Sequence, residues 1–585
     1  MAGQRPFPGH FRLPQGPSSG GRGCREAGQP KKVGVFGKLK LMSDESATGM
    51  FRAAATATLE DALQARPEWA TDLGDHRFDE LIDDLSNVGL ATRAQLMRRH
   101  RAELASVDPD ALGAEDRVDL SILIGHLDQE VFEIESLATY TWDPCVYGVG
   151  EALYPLVTRE VMPVADRLRA IAARLALFPG RLELARHQLE APPRVHVETA
   201  LIQHPGNVAL VRDEVDRLLV AEPALRAEVE PAQQAVLQAL EKYEGFLHSL
   251  LDGPHRDPRI GPDHFSRKLA LALSSPMPPE QLLARALRRV EELHDMLAEV
   301  AKEYLAAEGA GPLKGTKEEV VRAALGRVAR DAPDESTFVP LFEAALLRCT
   351  EMVLASGTVS VPEDPYRIEL IPVFRRGGSA AQCDSAGPLE EGGETSLAVA
   401  PPPDDWSAEQ KVSFYREYNT AMVTNLTVHE AMPGHMLQQA HARRFQGSTL
   451  VRKILQSGTF VEGWAVHAER IMAEAGNGGL PVRLQQLKLQ LRVAINAILD
   501  VSVHAGEMSQ SEALELMMTR GYQEESEARG KWRRACLTSA QLSTYFVGYT
   551  ELDELFTALG DRLDYDELLA HGSPPPTLLR SVLRT

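Results

Sequence analysis

The stretch that most constrains this chain is residues 425–439, where His429, Glu430 and His435 fall within seven positions and are split by Pro433 and Gly434. Phe414, Tyr418, Met422 and Leu426 precede it at helical spacing, so the polar cluster sits at or near the end of a helical run. These are the residue types of a zinc hydrolase. Neutral imidazoles bind the metal, and a carboxylate beside one of them takes a proton from the activated water. In the usual His-Glu-x-x-His helix the two histidines stand four apart and about 40° apart around the axis. Here they are six apart, which turns His435 to about 120° from His429 on an ideal helix. A straight helix cannot bring both to one ion. Pro433 removes a helical N–H and Gly434 tolerates unusual dihedrals, so a bulge at this dipeptide would return His435 by one register. The competing reading is a helix that ends at Pro-Gly, with His435 as a polar cap.

A third ligand comes from residues 458–475, which read as a helix. Glu462 and Glu469 lie seven apart on one face with Val466 between them, and that face is otherwise apolar. A carboxylate there needs a partner, and a metal is a good one. Glu462 follows His435 by 27 residues, ample for a second helix to fold back across the first.

His-Glu-Ala-Met-Pro-Gly-His, followed by Glu-Gly-Trp-Ala-Val-His-Ala-Glu, resembles the bacterial proteins grouped as domain of unknown function 885, classed with gluzincin-like metallopeptidases. The resemblance runs from about residue 50 to the C-terminus and is strongest in the last third. It implies a mainly α, large helical metallopeptidase-like fold with a central cleft. It also implies one zinc ion (Zn2+) per chain, held by His429, His435 and Glu462, with Glu430 as general base and Glu469 orienting a histidine. The same resemblance touches residues 482–505, an amphipathic helix carrying Arg492, Asp500 and His504. Asp500 and His504 are four apart and can hydrogen-bond, which would fix the histidine tautomer. His504 then either binds substrate or the transition state, or serves as a cap or core residue. The segment 541–548 points to Tyr545 as a phenol that donates to a developing oxyanion, against a buried structural tyrosine. Arg534 is expected to hold a carboxylate of the substrate or of the site's surroundings.

Before the motif, residues 366–374 alternate in part and read as a strand, 375–395 as a loop, and 396–400 as a return strand. Together they predict a hairpin or small sheet just ahead of the motif helix. Its edge either pairs with a substrate backbone or only covers the core.

Elsewhere the pattern is long and amphipathic, with helices closed by Pro or Gly. Residues 42–585 therefore read as one catalytic domain, with two helical lobes at 42–360 and 361–585 as a subdivision. Residues 1–41 carry eight Lys/Arg and only one acid, Glu26, and read as a disordered basic Gly/Pro-rich tail. The formal net charge of −21 repels phosphates and argues against nucleic-acid partners. No apolar run is long enough to cross a membrane. Five scattered cysteines (Cys24, Cys145, Cys349, Cys383, Cys536) and no apolar leader suggest a bacterial, cytoplasmic protein with reduced thiols. The expected partner is a peptide or small amide. The alternative is a helical peptide-binding protein without chemistry.

Overall fold

The computed structural model describes residues 46–309, 315–364, 366–371, 380–390, 392–403 and 406–583. The tail at 1–41 lies outside the described residues. The rest is mainly α, as the periodicity predicts, with one three-stranded sheet. Among the described helices none is long and apolar enough to cross a membrane.

The elements that build the site are numbered here in chain order. α1 (Pro279–Ala307) packs along α5 (Gly479–His504). The sheet strands β1 (Tyr366–Leu370), β2 (Ala381–Asp384) and β3 (Thr395–Val399) come next. Then follow α2 (Thr420–Glu430), α3 (His435–Arg444), α4 (Gly458–Glu474), α5, α6 (Glu525–Leu537) and α7 (Gln541–Leu559).

Of the hairpin or small sheet expected ahead of the motif helix, the small sheet is what forms. Its order is β1-β3-β2; β1 pairs with β3 in parallel, and β2 pairs with β3 antiparallel. Thus β1 and the return strand are neighbours but not hairpin partners. The extra strand β2 lies inside the stretch read as a loop. Residues 372–374 of the expected first strand lie outside the described residues.

Two apolar cores share α4 and α7. One gathers Phe265, Val290, Leu297, Leu491 and Phe546; the other gathers Phe342, Leu346, Leu397, Phe460 and Trp464. Each draws on chain from both sides of residue 360. The change of core partners falls earlier, between Leu251 and Phe265. The N-terminal helices are tied to the site half by the fully buried Arg452 Nε–Asp119 Oδ1 pair at 2.7 Å. The Tyr154 hydroxyl also donates to Asp384 Oδ2 at the end of β2 (2.8 Å).

α4 and α7 approach unusually closely because glycine meets glycine. A Cβ on Gly463 would overlap the Gly548 backbone, and one on Gly548 would overlap the Thr459 carbonyl oxygen. Glu462 and Tyr545 flank this contact, so the glycine pair sets the spacing between a carboxylate and a phenol.

Candidate metal centre

α2 starts under an Asn419 cap, whose Oδ1 accepts from the Met422 N–H at 3.2 Å, and ends at Glu430. The chain then reverses rather than bulging. The Met432–Pro433 peptide is cis, Gly434 N–H donates to Val428 O (3.0 Å), and α3 begins at His435. Only glycine fits at 434, because a Cβ there would overlap the carbonyl oxygens of His429 and Val428. Trp464 Nε1–H donates to Pro433 O (2.8 Å) and fastens the reversal to α4. So the two histidines reach one point from the end of one helix and the start of another. Their rings stand 4.8 Å apart, nearly perpendicular.

The third expected group arrives from α4. Glu462 Oε2 lies 3.5 Å from His429 Nε2 and 3.4 Å from His435 Nε2. Three nitrogen and oxygen ligands about 2.1 Å from one ion at tetrahedral angles stand about 3.4 Å from one another. Glu462 Oε2 is buried and makes no hydrogen bond among the described residues. The donor set, its spacing and this orphaned oxygen fit a zinc ion, and no other cluster of this kind occurs among the described residues.

The surroundings orient the set. Glu469 Oε1 accepts from His429 Nδ1 (2.7 Å), which leaves Nε2 with its lone pair toward Glu462 and His435. The other Glu469 oxygen accepts from Asn425 Nδ2 (2.7 Å). Burial opposes protonation of His429, but the nearby carboxylates of Glu462, Glu469 and Glu430 outweigh it and hold this imidazole well above its ordinary value. Burial likewise works against the Glu462 charge, yet the two imidazoles keep its carboxyl well below the carboxylate range. Glu430, beside the triad, is pushed above the ordinary carboxyl value by burial, against the pull of both histidines. It accepts the Cys383 N–H of β2 at 3.0 Å.

The triad opens on a cleft of about 420 Å³, walled by Ala381–Cys383 on one side and by Arg534 and Tyr545 on the other. Tyr545 OH accepts from Arg534 Nη2 at 3.0 Å. Burial, then the Glu462 charge, push the phenol up to about 12, so it remains a donor at neutral pH.

His504 and Asp500 are not in the cleft. Asp500 caps α7 from outside: Oδ1 accepts from Ala540 N–H (3.0 Å), and Oδ2 from the Ser543 N–H (2.9 Å) and hydroxyl (2.7 Å). His504 Nε2–H points to the carbonyls of Ala535 and Thr538, each at 2.8 Å, and the ring stacks on Phe265. The expected bond between the two is replaced by these contacts, and the core alternative for His504 is the one that holds. Arg534 holds the phenol, with no carboxylate of the chain paired to it among the described residues.

Three participants escape a reading of the sequence. Asn425 has a signal, a polar residue one turn before His429 on an apolar helix. Lys531 has one too, three residues before Arg534. The Cys383 backbone has none, because β2 is cut from a Gly- and Ser-rich stretch.

The profile of the family described as "Bacterial protein of unknown function (DUF885)" matches residues 67–583. The chain belongs to the DUF885 family. No curated protein matches it. Two solved structures resemble this DUF885 chain. One is a candidate lipoprotein of unknown function from Shewanella oneidensis, 26% identical, covering 91% of this chain and 99% of its own, with a TM-score of 0.75. The other is a candidate lipoprotein from Colwellia psychrerythraea, 17% identical, covering 92% and 98%, also with a TM-score of 0.75. The first extends beyond fold to sequence, and the second speaks for the fold alone. Neither lends support to the cytoplasmic expectation.

Proposed function

We propose that this DUF885 chain is a zinc-dependent peptidase acting on small peptides. The observation that carries the reading is the convergence of His429 Nε2 and His435 Nε2 on Glu462 Oε2, at 3.5 and 3.4 Å, with Glu430 alongside. A bound zinc ion would supply a Lewis acid that polarises the scissile carbonyl and lowers the pKa of water. The chain's own residues do the rest. Glu430, held by the Cys383 N–H, takes a proton from the attacking water as its oxygen bonds to the carbonyl carbon. Glu430 then hands that proton to the amine as the C–N bond breaks. Tyr545, steadied by Arg534, donates to the oxyanion.

β2 supplies the rail. Ala380 and Ala400 are hydrogen-bonded partners, so Gln382 and Asp384 face β3, while the backbone of Cys383 faces the cleft. Its N–H is engaged by Glu430, so an extended substrate can meet this edge through the Cys383 carbonyl. The lipoprotein name of the Shewanella oneidensis neighbour favours the cell envelope over the cytoplasm as the location.

The test combines metal analysis with Glu430→Gln. About one zinc per chain is expected in both proteins, with peptide turnover in the variant down by ~100-fold or more. A zinc-free wild type after zinc is offered, or full turnover in the variant, would leave a helical peptide-binding protein without this chemistry.

A further inference from the structure

Behind the triad, away from β2, lies a second hollow of about 110 Å³ that shares His429, Glu430, Arg534 and Tyr545 with the cleft. Its basic residues divide into two kinds. Arg492 is bound to Glu527 and Glu417, and the adjacent Lys488 to Glu417. Arg534 and Lys531 are different. Among the described residues Arg534 donates only to the uncharged Gln541 Oε1 (2.8 Å) and Tyr545 OH (3.0 Å). Lys531 makes no ion pair or hydrogen bond with any described residue.

The carboxylates of the hollow are otherwise engaged. Glu469 serves His429 and Asn425, Glu430 takes the Cys383 N–H, and Glu527 takes Arg492. Glu527 acts on both Lys531 and Arg534 from a distance, and Glu462 on Arg534, but among the described residues no carboxylate pairs with either cation directly. Lys531 and Arg534 lie three apart on α6, so their heads share a face. Two cations kept partly out of water without an anion are unfavourable until one arrives. Burial, then the charges of Arg492 and Arg534, draw the Lys531 ammonium down to about 7, and the more distant charge of Glu527 only partly offsets them.

We propose that Lys531 and Arg534 bind the free α-carboxylate of a peptide, which makes this site an exopeptidase that cuts at the C-terminal end. The proposal rests on the peptidase reading above. Arg534 supplies a planar fork and Lys531 a point charge, a pairing suited to one carboxylate. The hollow is small, so it receives a chain end and not a continuing strand. A substrate laid along β2 would cross the triad and finish there.

Binding and turnover are measured separately. Zinc-loaded Glu430→Gln protein is titrated with an acetylated tripeptide as the free acid, with its C-terminal amide, and with an amide carrying a terminal glutamate side chain. The free acid is expected to bind ~10- to 100-fold tighter than the amide, as a charge-assisted contact implies. Adding Lys531→Met should remove most of that ratio, and Lys531→Arg should restore it. Equal binding of acid and amide overturns the proposal, whether or not the Lys531 variants fold. So does a preference that follows the glutamate side chain, which would mark an acidic-residue pocket instead. Wild-type turnover keeps the two readings apart. Acid-selective binding with no cleavage would retain the carboxylate site and remove the peptidase; cleavage of acid and amide alike would do the reverse.

Discussion

Two histidine–carboxylate pairs in this chain look alike in sequence and do opposite things. His429 and Glu469 meet across two helices, and every bond they make leaves His429 Nε2 bare toward Glu462 and His435. His504 and Asp500 share one helix, four residues apart, yet both Asp500 oxygens hold the first turn of α7 while His504 Nε2 holds the end of α6. The first pair prepares an atom for something that arrives. The second consumes its atoms in the fold. What separates a site from a strut is therefore where the last lone pair points, not which residues stand together.

The sharpest way to break the contrast is to remove the reversal that the first pair depends on. Gly434→Ala puts a Cβ into the His429 and Val428 carbonyls and should cost about 3 kcal/mol or more, with zinc lost. Gly326→Ala, whose Cβ meets nothing, is the matched control and should keep both. Thermal melts with elemental analysis decide it; a zinc-loaded Gly434→Ala protein would show that the site does not need this turn.

A smaller effect compares the two groups that the sequence offers to the oxyanion. Tyr545→Phe should lower kcat by ~100- to 1000-fold with zinc retained. His504→Gln should leave kcat within about threefold and lower Tm instead, since its ring bonds the Ala535 and Thr538 carbonyls and stacks on Phe265 away from the cleft. Equal losses of kcat would put His504 back in the reaction.

The smallest effect sets the carboxylates side by side. Glu469→Gln should weaken zinc ~10- to 100-fold with little change in stability. Asp500→Asn should keep zinc and cost about 1–3 kcal/mol, as loss of a helix cap does. Competitive zinc titration and denaturant unfolding read the two arms, and a common response would erase the distinction.

Much of the site is legible in the amino-acid sequence. His429, Glu430 and His435 point to the chemistry, and the seven-residue spacing of Glu462 and Glu469 places both on one face of α4. What escapes is whatever depends on distant chain. The parallel pairing of β1 with β3 goes with β2, which lies between them in the chain and on the far side of β3 in the sheet. The role of His504 is set by where the carbonyls of Ala535 and Thr538 come to rest. The i,i+4 spacing with Asp500 is real, but it describes only which groups can meet, and both find stronger partners across the core.

The seven-residue interval on α4 has one more consequence, for how such a site can change over time. Two turns of one helix fix the metal-facing Glu462 and the histidine-facing Glu469 together. A residue inserted or deleted between them would swing one about 100° away from the other. Substitutions at 463–468 can be absorbed one by one, but a change of length cannot. In descendants of this chain, insertions and deletions should accumulate in the loops beyond β2 and leave this interval untouched.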